Sequence, residues 1–425
     1  MINRQKCCGC QACVQKCPKN CISMAEDDEG FLYPKIDKEK CIDCHLCEKV
    51  CPVIEFSLPN LPMACYAAKN PSDQIRRVSS SGGIFTMLAE CVIAKGGVVF
   101  GAAFNDKWDV VHTYTESKEG LQAFRGSKYV QSRIGNTYRQ AEKFLKNGRL
   151  VLFTGTPCQI AGLRNFLGNK EYANLLNMDI VCHGVPSPGV FRWYLQEELN
   201  NYAARQSSKD SVLFPSILSI PKTDILVPDR LNIVDIRFRD KRNGWKKYSF
   251  VLLLTEVSAE GKKDSVSLSY TLNECKFLDG FFNDLYLRPC CYDCSFKGFR
   301  SGADITIGDF WNLDTYNRQF DDDQGVSCVI CLSEKGEKLI KDLDCKRMEV
   351  PYSVIALRNQ AINHSATLNL EKRTAFYTSR DLIFSALVSK LCKLSLKRKI
   401  YLGVYRILQN IGLMRIIKAI KYNKR

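Results

Sequence analysis

Several features are missing from this sequence, and each absence narrows what the chain can be. No stretch of its 425 residues approaches the 18 or more consecutive apolar positions of a membrane span. The opening MINRQKC carries no apolar h-region, so an exported protein stapled by disulfides is not expected. Histidine is scarce, at four residues, which leaves few groups of that type to act as a proton donor. Acidic residues are absent from positions 386–425, although the chain holds 45 of them. Apolar content of 45% and charged content of 25% are those of an ordinary globular protein.

What is present in quantity is cysteine, 22 residues of it. Without an export signal, that number implies a reducing, cytoplasmic setting in which thiols stay free for metal. Cys7, Cys10, Cys13 and Cys17 follow C-x2-C-x2-C-x3-C-P, and Cys41, Cys44, Cys47 and Cys51 repeat it, closed by Pro18 and Pro52. This is the spacing of bacterial two-cluster ferredoxins, in which three thiolates of each run bind one 4Fe-4S cubane and the fourth crosses to the other. Cys7, Cys10, Cys13 and Cys51 are therefore expected around one cluster, and Cys41, Cys44, Cys47 and Cys17 around the second. The fourth cysteine of each run is expected at the start of a helix. Zinc favours two C-x2-C pairs rather than this doubled run. Cys8 and Cys21 are left over and read as spare small residues.

The expected architecture is mixed α/β: a two-cluster ferredoxin-type domain over 1–55, a linker over 56–70, and a larger body. The stretch VIEFSLPNLPMACYAAKNPSD, which spans this linker, contains Pro59, Pro62 and Pro71. The body divides into 71–150 and 151–345, followed by a basic helical region over 346–425. Helix-like GIFTMLAECVIAKG and TYRQAEKFLKNGR alternate with strand-like GVVFGAAF, LVLFTGTPCQ and LLNMDIVCHG, the pattern of α/β layers. IVDIRFRDKRNGWKKYSFVLLLTEV reads as two strands joined across Asn243-Gly244.

A second set of thiols falls where loops should follow strands: Cys158, Cys182, and Cys291 and Cys294 from LRPCCYDCSF. Strand carboxyl ends are where α/β proteins build sites. If the loops converge, these four make a third cage; otherwise each is a buried core cysteine. VSSSGGIFTMLAE places Ser79, Ser80, Ser81, Gly82 and Gly83 before a helix, where backbone amides and the helix start favour a phosphate. It is neither GxGxxG nor a Walker loop, and a serine N-cap explains it nearly as well. FRGSKYVQS adds Arg125, Gly126, Ser127 and Lys128, donors suited to a pyrophosphate, and Asp309-Phe310-Trp311 ends a strand as a candidate site edge.

Taken together, the doubled ferredoxin run, SSSGGIFT, FRGSKYVQS, TGTPCQIAGLR, CHGVPSP, FRDKRNGW and CYDCSFKGFRSGADITIGDFW resemble the coenzyme F420 hydrogenase/dehydrogenase beta-subunit family over residues 1–320. The resemblance implies a flavin-binding body holding FAD, with a phosphate-loop role at Ser80, Ser81, Gly82, Gly83, Gly126, Ser127 and Lys128. It also strengthens a third 4Fe-4S cluster at Cys158, Cys182, Cys291 and Cys294. Electrons from ferredoxin or a similar donor would pass through the clusters to FAD and on to a substrate, with either direction of flow open. His183, in the CHG loop, is the candidate proton donor, or equally a structural residue. Some similar chains are associated with surface-polysaccharide synthesis, which would make the substrate a sugar or lipid-linked glycan. The rival expectation is an electron-transfer subunit with no substrate of its own, docked on a larger hydrogenase or dehydrogenase.

Residues 386–425 hold eleven Lys and Arg, with apolar Leu387, Leu391, Leu394, Ile400, Val404, Ile407, Leu408, Ile411, Met414 and Ile417 at helical spacing. Such a helix suits an anionic inner membrane surface, or packs on the body with a solvated basic face. No nucleic acid is expected, because the body has no matching basic patch. On the membrane expectation, deleting residues 386–425 abolishes co-sedimentation with anionic vesicles; unchanged co-sedimentation supports the packed helix.

Overall fold

The computed structural model describes residues 3–55, 58–206, 218–222, 224–258, 261–379 and 381–393. The expected amphipathic tail lies outside these residues from position 394 onward. Its first part is described: the helix Phe384–Leu391 buries Leu387 and Val388 against the helices Pro188–Gln206 and Lys276–Phe282. No helix among the described residues is long and apolar enough to cross a membrane.

The amino-terminal module is small. β1 (Ile22–Glu26) pairs antiparallel with β2 (Leu32–Ile36), and two short helices, Ala12–Lys16 and Leu46–Lys49, carry the cysteine runs. Cys17 caps the carboxyl end of the first helix and Cys51 follows the end of the second, so the crossing cysteines leave helices rather than begin them, contrary to expectation. A left-handed residue precedes each helix, Gln11 and His45.

The body is built on one eight-stranded sheet. In chain order its strands are β3 (Ala64–Lys69), β4 (Val98–Phe104), β5 (Val110–Thr115), β6 (Val151–Gly155) and β7 (Leu175–Ile180). A separate antiparallel sheet of β8 (Leu231–Asp240), β9 (Ser249–Val257) and β10 (Lys263–Thr271) intervenes, before β11 (Ile305–Asp309), β12 (Ser327–Cys331) and β13 (Lys346–Glu349) complete the large one. Its order is β13-β3-β12-β11-β7-β6-β4-β5. The centre, β11-β7-β6-β4, is parallel, and both flanks are antiparallel. Strands buried on both faces need largely apolar sequence, which VLFTG supplies; LLNMDI also buries Asn177 and Asp179, the latter accepting from the Ser301 and Thr306 hydroxyls. Alternate residues then pack on opposite layers. Phe100 and Phe153 join the helices Thr137–Lys146 and Pro157–Phe166, whereas Val99 and Leu152 join the helix Ile84–Ala94.

Two expected boundaries are corrected by this sheet. The presumed linker 56–70 contains β3, an interior strand, because its prolines all lie outside ACYAAK. The presumed helical region from 346 begins with β13, paired to β3. The β8–β9 pair is antiparallel as expected, but residues 241–248 connect it, more than a two-residue turn. That connection is used for docking: Lys241 Nζ donates to the carbonyls of Arg76, Ser81 and Gln324, and Trp245 stacks on Trp311 at 4.9 Å and 6°.

Gly82 sits where β3, β12 and the serine-rich loop meet. A Cβ there would lie 2.4 Å from the Ala68 carbonyl oxygen and 2.7 Å from the Ser327 nitrogen, both backbone atoms that cannot swing away. Gly82→Ala is therefore expected to destabilise the fold by about 1–3 kcal/mol, read as a lower urea midpoint; an unchanged midpoint would show that the sheet edge yields there.

Candidate redox centres and cofactor cavity

Four cavities lie in a row, and each shares lining residues with the next. The outermost is walled by Cys17, Cys41, Cys44 and Cys47, with Cys21 also on its wall; Cys44 is exposed. The next is walled by Cys7, Cys10, Cys13 and Cys51, and Cys47 and Glu48 border both. The structure thus brings together the two crossed quartets that the spacing predicts. The short helices end so that Cys17 and Cys51 point to the cavity served by the other run.

The third cavity gathers Cys158, Cys182, Cys291 and Cys294, joined by Cys290 and Cys8. Three separate chain segments deliver them. Cys158 lies in the first turn of the helix Pro157–Phe166, not in a free loop, because Pro157 and the Thr156–Gln159 capping pair start the helix directly after β6. Cys182 follows β7, and Cys291 and Cys294 come from the turn at Pro289–Asp293 and the residue after it. Lys297 Nζ donates to the carbonyls of Cys182 and Ala361 at 2.6 and 2.7 Å, holding that loop in place. Cys8 is not a spare residue: it borders both the second and third cavities. Cys21 likewise lies 3.3 Å from Cys17, sulfur to sulfur. Among the described residues no group of three or more His, Cys, Asp or Glu side chains is spaced to hold a single metal ion. A cubane makes a different demand, since each thiolate takes its own iron at a separate corner.

The fourth cavity is the largest, about 480 Å³, and shares Val181, Cys182 and His183 with the third. It opens at the carboxyl ends of β6, β7 and β11, where Thr156, Val181 and Asp309 lie. The serine-rich loop and the Arg125–Lys128 loop form one wall, joined by Ser127 donating from its backbone nitrogen and its hydroxyl to Ser80 Oγ. Gly83, at φ 79°, precedes the helix Ile84–Ala94 with no side chain capping it. Ser79, Ser80, Ser81, Gly83, Gly126, Ser127 and Lys128 all line the cavity. Gly82 does not: its nitrogen donates to Ser327 Oγ at 3.0 Å, so its amide is already used. Lys128 Nζ donates to the carbonyls of Arg125 and Gly126, and burial pulls its pKa down to about 8. The opposite wall is aromatic, with Tyr129, Tyr248, Phe282 and Trp311. Asp309 and Trp311 line it as expected, whereas Phe310 is fully buried in the core.

Arg239, from β8, is paired with Asp309 and lies between the rings of Tyr248 (4.6 Å) and Trp311 (5.2 Å). Sequence reasoning passed over it as one charge in an alternating strand; only docking of the small sheet brings it to this wall. His183 sits on the shared wall between the third and fourth cavities, its Nε2 2.6 Å from Asp284 Oδ1.

These features coincide with the reach of known families. Residues 6–54 match a 4Fe-4S dicluster domain, residues 65–137 the coenzyme F420 hydrogenase/dehydrogenase beta subunit N-term, and residues 148–205 and 226–351 its C terminus. The chain belongs to the coenzyme F420 hydrogenase/dehydrogenase beta-subunit family. It is an oxidoreductase-family chain whose amino-terminal module carries two 4Fe-4S clusters. A solved structure, that of a xenon-derivatised F420-reducing NiFe hydrogenase complex from Methanosarcina barkeri, is similar at 16% identity and a TM-score of 0.42, covering 72% of this chain and 90% of that one. No curated protein matches.

A second missed residue of this family member is His112, one of the four histidines, buried on the cavity wall. The Thr154 carbonyl can only accept, so Nε2 carries the proton at 2.9 Å and Nδ1 accepts from Ser132 Oγ at 2.9 Å. Burial lowers its pKa to about 4, opposed by the bond to Thr154. Because the unfolded chain protonates first, near pH 6.5, stability is held above that pH and lost as the pH falls from about 6.5 to 4, by about 3 kcal/mol at pH 4. Wild-type protein is therefore expected to lose more urea resistance between pH 7.5 and 5 than His112→Gln; parallel losses would refute this.

Proposed function

We propose that the chain is the electron-transfer subunit of a larger hydrogenase- or dehydrogenase-type assembly, carrying single electrons between a partner protein at the exposed outer cage and a flavin held in the large cavity. The observation that carries this reading is the unbroken row of four cavities, joined by Cys47, then Cys8, then Cys182. Within it, Cys7, Cys10, Cys13 and Cys51 hold the inner ferredoxin-type cluster, and Cys17, Cys41, Cys44 and Cys47 the outer one. Cys158, Cys182, Cys291 and Cys294 hold a third 4Fe-4S cluster. Exposure of Cys44 supports the docking of a redox protein at that end.

The large cavity fits a flavin dinucleotide of the FAD kind. Small serine and glycine residues let donors approach a diphosphate, the uncapped helix start favours its charge, and the aromatic wall suits a planar ring. Ser80, Ser81, Gly83, Gly126, Ser127 and Lys128 would hold the phosphates. When bound, a flavin supplies the conversion between single electrons and a hydride pair. His183, held by Asp284, is placed to hold a proton where the third cage meets the cavity. The family's name supports coenzyme F420, or a hydride carrier of that kind, as the two-electron partner. It lends no weight to the first expectation, in which the chain itself reduces a glycan intermediate.

Protein purified without oxygen is expected to carry about twelve irons and one flavin per chain. Cys158→Ser and Cys291→Ser should each remove about four of those irons while the amino-terminal eight remain. A count of eight in the wild type overturns the third cage, and colourless protein overturns the whole reading.

A further inference from the structure

Arg288 is fully buried, yet it belongs to neither the cofactor cavity nor a salt bridge. It enters from the body, just before Pro289–Asp293, and reaches across to the ferredoxin module. Its Nε donates to the Cys7 carbonyl at 2.7 Å, and its Nη2 to the Leu32 carbonyl at 3.0 Å, with the Cys7 sulfur 3.7 Å away. Nη1 donates to Gln131 Oε1 at 2.8 Å, and the same Gln131 donates from Nε2 to the Cys8 carbonyl. The guanidinium lies over the rings of Tyr33 (4.2 Å) and Phe31 (5.4 Å). Gly9 is shaped to it: a Cβ there would meet the guanidinium at 2.9 Å. Every partner is neutral except the thiolate, and among the described residues no carboxylate pairs with it.

Among the described residues, the outer cage lacks a buried guanidinium. The carboxyl of Asp43 is 3.5 Å from the Cys41 sulfur, Lys19 is on the same wall, and Glu48 borders both cages. Hydrogen bonds to cluster sulfurs and nearby fixed charge are the protein's means of setting a cluster's potential. An added electron is stabilised by a buried cation and opposed by carboxylates. Low dielectric strengthens the first effect, since no counter-charge cancels it.

We propose that Arg288 raises the reduction potential of the inner ferredoxin-type cluster above that of the outer one, so that an electron entering at Cys44 is drawn inward. In that step the outer cage is oxidised, the inner cage is reduced, and no proton moves. The inference rests on the assignment of Cys7, Cys10, Cys13 and Cys51 to one cage. It is tested on anaerobically purified full-length protein by redox titration followed by electron paramagnetic resonance. Arg288→Met is expected to move one amino-terminal cluster to a more negative potential and leave the other unchanged. Arg288→Lys keeps a cation but withdraws the contact with Cys7, and should move the same cluster less far. Unchanged potentials in either iron-replete variant, or equal shifts of both clusters, overturn the proposal. Should the methionine variant fail to assemble, the lysine variant alone decides. Cys44→Ser identifies the outer signal; if it perturbs the signal that the arginine variants move, the cage assignment falls while the effect of Arg288 stands.

Discussion

The close approach of the ferredoxin module to the body governs the remainder of this structure. Electrons cross protein only where redox groups stand near one another, so the module cannot be tethered loosely. The contact is tight enough to exclude side chains: a Cβ on Gly162 would meet Cys10 at 2.9 Å. Around it, module side chains take up the body's backbone donors, and an ion pair ties the two together. Gln15 accepts from the nitrogens of Tyr138 and Arg139, Gln11 accepts from Gly135, and Arg373 pairs with Glu29. Buried donors and acceptors left unpaired would cost more than these bonds contribute, so the docked position is selected strongly. Cys8 comes between two cavities as a result.

The body meets this demand with parallel strands. Because β4, β6, β7 and β11 run in the same direction, the loops leaving β6, β7 and β11 emerge on one edge, and thiols far apart in the chain can share a wall. The antiparallel sheet β8–β10 then closes the large cavity from the side. Its connection grips the serine-rich loop through Lys241 and Trp245, whose Nε1 donates to the Ser80 carbonyl at 3.1 Å. The wall formed by the serine-rich loop is thereby fixed by a segment that looks, in sequence, like a plain hairpin.

Charge is distributed along the same axis. Asp43 stands beside the outer cavity, the Arg288 guanidinium beside the next, and Lys297 beside the Cys182 loop of the third cavity. Such a gradient costs stability in a low-dielectric interior unless hydrogen bonds repay it, and both cations donate to neutral carbonyl oxygens.

The sequence by itself determined what depends on local spacing. The doubled run of Cys7 to Cys17 and Cys41 to Cys51 sets three thiols of each run on one tight loop and sends the fourth to the other, and the apolar start of β6 marks an interior strand. The serine-rich loop was legible because its small residues stand directly before the helix Ile84–Ala94, and the Arg125–Lys128 loop because its donors are adjacent in the chain. Tertiary structure decided everything that joins distant segments. Whether Cys158, Cys182, Cys291 and Cys294 converge depends on a helix start and two loops meeting at one edge of the sheet, which no spacing encodes. β3 was hidden among prolines and earns its strand only by pairing with β12 and β13. Arg239, His112 and Arg288 carry no local signal, since an arginine or histidine becomes a site residue only when packing removes water from around it.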